Sequence, residues 1–534
     1  MLTHLLYNAR IHTLNPEQPI ATALALYHDR IVAIGGDELR TLATSQTRTT
    51  DLKGAVILPG LVDAHIHWEG TARALHIVDL MNTPSRQVAV QKVAERAAAT
   101  PRGTWVLGRG WSQVDWEDGQ FPSAADLDPV TPNHPVLLPA RSGHAAWVNS
   151  AALRLAGISA STPDPEGGQI VRDSQGVPTG LLFETAIGLV ATHIPPLTAD
   201  QLADQMAVAQ RLAYACGLTG LHDFDDQSAM SALQILRERG ELGLRVVKNI
   251  NRGFFESALK FGIRWGFGDD WLRIGGLKLF ADGALGSRTA SMIEPYESEP
   301  ENYGIVVTDQ ETITELVTQA TLHGLPATIH AIGDRAVHEV LNAYEAVRGV
   351  EATAGIPRSA RRHRIEHVQV IHPADLNRLA ELAIIASMQP IHATSDYPMA
   401  DRYWGERAAL GYHPLAQLDR GVQITFGSDS PVEPFEPFKG IHAAVTRQRA
   451  DGSPGEAGWY PDARLTVDQA IRGYTVGAAY TAGLEDRLGQ LKVGYLADLI
   501  AVDRDPYSIP PSELLKVRIL ATMSGGEFRY NDLE

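Results

Sequence analysis

Eight short apolar segments constrain this chain more than any other feature: residues 55–67, 218–224, 244–250, 274–280, 326–330, 363–367, 384–388 and 422–427, with stretches of helical character between them. Such alternation is the pattern of an α/β protein whose parallel strands are joined by helical crossovers. Eight units favour closure into a (β/α)8 TIM barrel over an open doubly wound sheet. No Gly-x-Gly-x-x-Gly loop after a strand suggests a dinucleotide site. Three helices open on Thr followed three residues later by Gln or Glu, at Thr198/Gln201, Thr308/Glu311 and Thr466/Gln469. Gly217 and Gly324 mark the stops of two helices just before the next strand.

The two ends of the chain read differently from the centre. Short strand-like runs separated by Asn15-Pro16 and His28-Asp29 fill the N-terminal region, and 489–503 reads the same way. We therefore expect residues 1–58 plus 484–534 to form one composite β-sandwich domain flanking a barrel over 59–483. The first two barrel strands are separated by about 150 residues, far more than an ordinary βα connection. That predicts an inserted subdomain over 68–196, leaving the barrel at the end of the first strand and hence over the catalytic face.

Chemistry-bearing residues recur at the C-terminal ends of these strands. The first ends in His65-Ile66-His67. Side chains at i and i+2 of a strand point the same way, so both imidazoles can reach one point, and neutral imidazoles suit a borderline cation such as zinc. Lys278 lies in the fourth strand, His330 ends the fifth, His367 ends the sixth and Asp429 follows the eighth. Barrel enzymes build their sites on this face. A lysine among apolar strand residues is costly unless paired, for instance with Asp282, or chemically changed. Blander readings are polar strand-end histidines and, for Asp429 in Ser-Asp-Ser-Pro, a helix N-cap. Trp68, Trp111, His144, Asp282, Arg288 and His392 are candidates for substrate contact, and His222 and Asp223 for support of the ligands.

Charge and cysteine usage narrow the partners. A net charge of −17 argues against nucleic acid and against an anionic membrane surface. The one cysteine, Cys216, reads as a packed thiol and excludes an intramolecular disulfide. The expected partner is a small-molecule substrate, the expected compartment the cytoplasm, and a homodimer the default assembly.

Together with the longer stretches 278–290, 332–336 and 427–433, these motifs resemble the amidohydrolase superfamily, and are similar to its amidohydrolase family 3 branch, which contains N-substituted formamide deformylase. The resemblance implies one or two divalent metal ions, zinc ahead of manganese or iron. His65, His67 and Asp429 would hold one ion and His330 and His367 the other, with a carbamylated Lys278 bridging a binuclear centre. It further implies that Asp429 takes a proton from a metal-activated water, which hydrolyses a non-peptide carbon–nitrogen bond of the amide or formamide type. Two alternatives are a mononuclear hydrolytic deaminase with unmodified Lys278 and a catalytically silent barrel used as a scaffold.

Overall fold

The computed structural model describes residues 2–533. At its centre are eight parallel strands: β1 (Leu61–Ile66), β2 (Leu218–Asp223), β3 (Arg245–Asn251), β4 (Leu272–Phe280), β5 (Ala327–Ala331), β6 (Arg364–His367), β7 (Ile385–Met388) and β8 (Ile424–Phe426). They pair in chain order from β1 to β8. Just beyond β8, the Asp429 N–H donates to the His65 carbonyl at 2.7 Å. The Ser428 N–H and hydroxyl both donate to the Asp63 carboxylate, at 3.0 and 2.5 Å. Those bonds draw the last strand against the first and shut the barrel. The strands are buried almost throughout, as strands covered on both faces must be.

The segment 55–67, expected as one strand, is two. Val56–Pro59 belongs to a terminal sheet, and β1 begins after Gly60. A Cβ at Gly60 would stand 2.4 Å from the Thr219 hydroxyl oxygen, so only glycine lets the chain pass so close to β2. Val56–Pro59 joins Arg10–His12, Ile20–Ala21, Leu499–Val502, Ile519–Ser524 and Glu527–Asn531 in a six-stranded sheet drawn from both ends of the chain. A four-stranded sheet of His4–Tyr7, Ala23–Tyr27, Arg30–Gly35 and Arg48–Asp51 shares its core, with Leu24, Ile57, Leu499 and Met523 buried together. Arg245 of β3 and Asp498 form a buried two-pronged ion pair, 2.5 and 2.9 Å, that ties the barrel to the C-terminal return segment.

The chain divides into two compact units, Met1–Thr71 with Leu202–Glu534, and Ala72–Gln201. The smaller unit has its own six-stranded sheet, Val78–Asp79, Val106–Arg109, Val136–Pro139, Ala145–Val148, Pro178–Glu184 and Gly168–Arg172. Its core gathers Trp111, Trp116, Trp147, Leu127 and Leu138.

Local signals translate into caps with one exception. The Thr198 and Thr466 pairs form reciprocal caps with Gln201 and Gln469. At the third position the helix Gln310–Leu322 is capped by Asp309, whose carboxylate accepts the Thr312 N–H at 2.8 Å, and not by Thr308. An Asp one residue later is the stronger acceptor and carries charge that suits a helix N-terminus. Gly217 and Gly324 stop their helices at φ 89° and 94°. Cys216 is a packed thiol, its Sγ 3.2 Å from the Ala213 carbonyl, and burial pushes its ionisation up. Among the described residues no helix is long and apolar enough to cross a membrane.

Candidate metal centre

β1, β6 and the β8 exit bring His65, His367 and Asp429 to one point, with a ligand atom of each within 4.8 Å of the others, and all three are buried. His65 Nε2 lies 3.4 Å and His67 Nε2 3.5 Å from Asp429 Oδ1. Metal bonds of roughly 2.0–2.1 Å arranged tetrahedrally put neighbouring ligand atoms about 3.3 Å apart, so this spacing fits a shared cation. His330 packs on His367 with ring centroids 4.6 Å apart, and His65 on His367 at 4.8 Å.

What turns the imidazoles inward is a ring of partners on their other nitrogens. His65 Nδ1 donates to Glu366 Oε2 at 2.5 Å, His67 Nδ1 to Asp225 Oδ1 at 3.0 Å, and His367 Nδ1 to Gln389 Oε1 at 2.8 Å. Each bond places the hydrogen on Nδ1 and leaves the Nε2 lone pair free for a cation. His330 is reversed, with Nε2 donating to the Gly283 carbonyl at 2.8 Å and Nδ1 left over. Glu366 is itself fixed, its second oxygen taking Arg364 Nε and the Thr328 hydroxyl, both at 2.7 Å. Asp225 also accepts the Glu69 and Gly70 N–H groups, at 2.5 and 3.2 Å.

Electrostatics divide the set: burial opposes the charged form of His65, but Glu366 and Asp429 outweigh it and raise this ring, while the rings beyond it stay neutral. Burial holds His367 well below the usual imidazole range and His330 down to about 3, so both stand neutral, the form that ligates. Burial pushes the Asp429 carboxyl up, but the His65 imidazole outweighs it and holds the acid well below its ordinary range. His367 and Asp429 also carry left-handed φ of 76° and 60°. Non-glycine residues persist there only where their surroundings fix them, commonly at working sites.

Lys278 is buried in β4 with its Nζ 4.7 Å from the Phe224 ring centroid and 4.5 Å from that of Phe280. Burial lowers it to about 8 against the pull of Glu366 and Asp429. It does not pair with Asp282, whose carboxylate accepts three backbone N–H groups, from Ser291, Ile332 and Gly333 at 2.9, 3.0 and 2.8 Å. Asp282 therefore clasps the loops after β4 and β5 and offers no exposed surface to a substrate.

The other candidates sort by what they touch. Trp68 is fully buried and packs edge-on to Phe435. Trp111 is a core residue of the smaller unit, its indole N–H donating to the Leu138 carbonyl at 2.6 Å, and so has no face to offer a ligand. His144, in that unit, is exposed and pairs with Glu184 at 3.0 Å. Arg288 pairs with Glu299 at 2.8 Å and lies over Tyr403. His222 Nδ1 accepts from Arg364, and Asp223 accepts the Trp68 N–H and pairs with Lys248 at 3.0 Å, so neither reaches the ligand cluster. His392 Nε2 faces Asp429 Oδ2 at 3.8 Å. Glu366, Asp225 and Gln389 went unnoticed in the sequence; each sits at a strand exit within two residues of a residue singled out there or of a strand end, which is the signal that was available.

Comparison with known proteins agrees with the geometry. YtcJ of Bacillus subtilis is 34% identical over 493 residues, covering 91% of each chain. N-substituted formamide deformylase of Arthrobacter pascens is 29% identical over 551 residues, covering 98% of each. A metal-dependent hydrolase from Pyrococcus horikoshii has the same fold, with TM-score 0.78 and 27% identity over 95% of this chain and 99% of that one. The model of the amidohydrolase family matches residues 48–530, and the chain belongs to that family.

Proposed function

We propose that this metal-dependent hydrolase cleaves an amide-type carbon–nitrogen bond outside a peptide chain, with N-substituted formamides the first class to test. The observation that carries the reading is the buried meeting of His65, His367 and Asp429, with His67 at its edge and each imidazole fixed from behind. The deformylase relative, matched along 98% of both chains, supports the bond class. A divalent cation, zinc ahead of manganese or iron, would supply water activation near neutral pH and polarisation of the carbonyl.

The residues do the rest. In the overall reaction water adds to the carbonyl carbon, the C–N bond breaks, and a carboxylic acid and an amine leave. Asp429, ionised and at the rim, accepts the proton of the attacking water and returns it to the departing nitrogen. Lys278 has no carboxylate partner among the described residues, and its lowered affinity for protons raises the share of free amine above that of an ordinary lysine. That amine can add to carbon dioxide, losing one proton and becoming a carbamate, which would complete a second cation site with His330 and His367 and leave the first to His65, His67 and Asp429. Compartment and assembly follow the same reading: a cytoplasmic enzyme, working alone or as a homodimer on a small molecule.

Elemental analysis of the purified protein, a carbamate carbon signal after exposure to 13C-bicarbonate, and a screen of formanilides, N-acyl amides and cyclic amides test it. Two equivalents of metal, the carbamate signal and formanilide turnover are expected. A single equivalent without the carbamate, and release of ammonia from an aminated heterocycle, would favour the deaminase.

A further inference from the structure

His392 lies in the first turn of the helix Pro390–Trp404, directly after β7. Its residue is 5% exposed, yet among the described residues Nε2 has no hydrogen-bond partner. A buried polar group left unpaired is costly and calls for an explanation. The other ring nitrogen is accounted for. Gln369 Nε2 donates to His392 Nδ1 at 3.3 Å, and the Gln369 side-chain oxygen is taken by the Tyr412 hydroxyl at 3.0 Å. The one hydrogen of that hydroxyl is shared with Asp396 Oδ2 at 2.8 Å. With Nδ1 as acceptor, the hydrogen of a neutral ring sits on Nε2.

That N–H is aimed at the metal centre. It faces Asp429 Oδ2 at 3.8 Å, too far to bond, while the other Asp429 oxygen turns to His65 and His67. The His392 ring lies nearly parallel to that of His367, with centroids 6.1 Å apart. A donor fixed from behind, short of its neighbour and beside the group that handles the proton is placed for a guest oxygen. We propose that His392 is a catalytic residue of this chain, its Nε2–H donating a hydrogen bond to the substrate carbonyl oxygen as that oxygen gains charge. Donors of this kind act because they are oriented before charge develops. The inference rests on the hydrolase reading above, and it assigns His392 to substrate and not to a cation.

The test compares zinc-loaded wild-type protein with His392→Phe, which keeps the ring and removes the donor, and with His392→Gln, which restores an N–H. Three readouts are taken: zinc content, turnover of 4-nitroformanilide, and calorimetric binding of benzylphosphonate, whose tetrahedral oxyanions imitate the addition intermediate. His392→Phe is expected to keep its zinc, to lose about 10²-fold in kcat with KM little changed, and to bind benzylphosphonate about tenfold or more weakly. His392→Gln recovers part of both. Should the phenylalanine variant fail to fold, His392→Leu carries the same comparison. Equal phosphonate binding by wild type and the donor-free variant, or none by either, overturns the proposal, and so does loss of zinc. If no anilide is turned over but the phosphonate difference stands, the bond class is wrong and His392 keeps its role.

Discussion

Glu366 Oε2 and His65 Nδ1 meet at 2.5 Å across the interior of the barrel, joining β6 to β1 beneath the ligand cluster. Neither group is exposed, and Arg364 and Thr328 occupy the carboxylate's other oxygen. Glu366→Gln keeps the shape but removes the charge that holds His65 in its ligating tautomer. Metal affinity should fall about 10–100-fold, measured by competition with a chromogenic chelator, while the far-ultraviolet circular dichroism stays that of the parent.

Stripping the cation should silence the enzyme without unfolding it, because barrel closure rests on strand pairing and backbone bonds as well as on the ligands. Dialysis against a chelator is expected to abolish hydrolysis, and zinc or manganese to restore it. Asp429→Asn, which removes both a ligand charge and the proton acceptor, should lose about 10³-fold or more in kcat. Rapid-quench assays on metal-replete samples separate that loss from simple metal depletion.

Glu351 predicts a pH dependence far from the chemistry. It accepts from Arg348 Nη1 at 2.6 Å and His363 Nε2 at 2.9 Å, and although burial pushes its carboxyl up, the His363 bond leads the effects that bring it down to about 2. A folded-state value below the unfolded one means stability present above about pH 4.5 and lost as pH falls toward 2. Glu351→Gln should therefore cost about 3 kcal/mol near neutrality, leaving Arg348 buried and uncompensated. The gap between the two proteins should shrink as pH drops through that window, in urea melts run at several pH values.

Asp498→Asn breaks the buried pair with Arg245 and strands a guanidinium at the junction of β3 and the return segment. The expected loss is about 3–5 kcal/mol of stability. Differential scanning calorimetry would show an earlier transition, and replacing both partners by Met and Leu should recover much of it.

The barrel was legible because its strands are apolar runs separated by helical stretches, with His65, His367 and Asp429 near or just past the ends of three of them, a pattern that survives without knowledge of any partner. His65, His367 and Asp429 could be picked out for that reason. Their supports could not. Glu366 lies 301 residues from His65 and Asp225 158 from His67, and only the closed barrel brings them together. Trp111 misled for the converse reason. Its sequence position made it a candidate for substrate contact, but the ring fills the core of the smaller unit, where its indole N–H finds the Leu138 carbonyl. Gly60 hid the boundary within 55–67, since the contact that demands it, Thr219, is on another strand.

The seam bond from the Asp429 N–H to the His65 carbonyl gives assembly a direction in time. During synthesis the earliest ligands leave the ribosome hundreds of residues ahead of the one that completes their shell. The cluster of His65, His367 and Asp429 is therefore complete only once the eighth strand has joined the first, which ties the candidate site to a closed barrel.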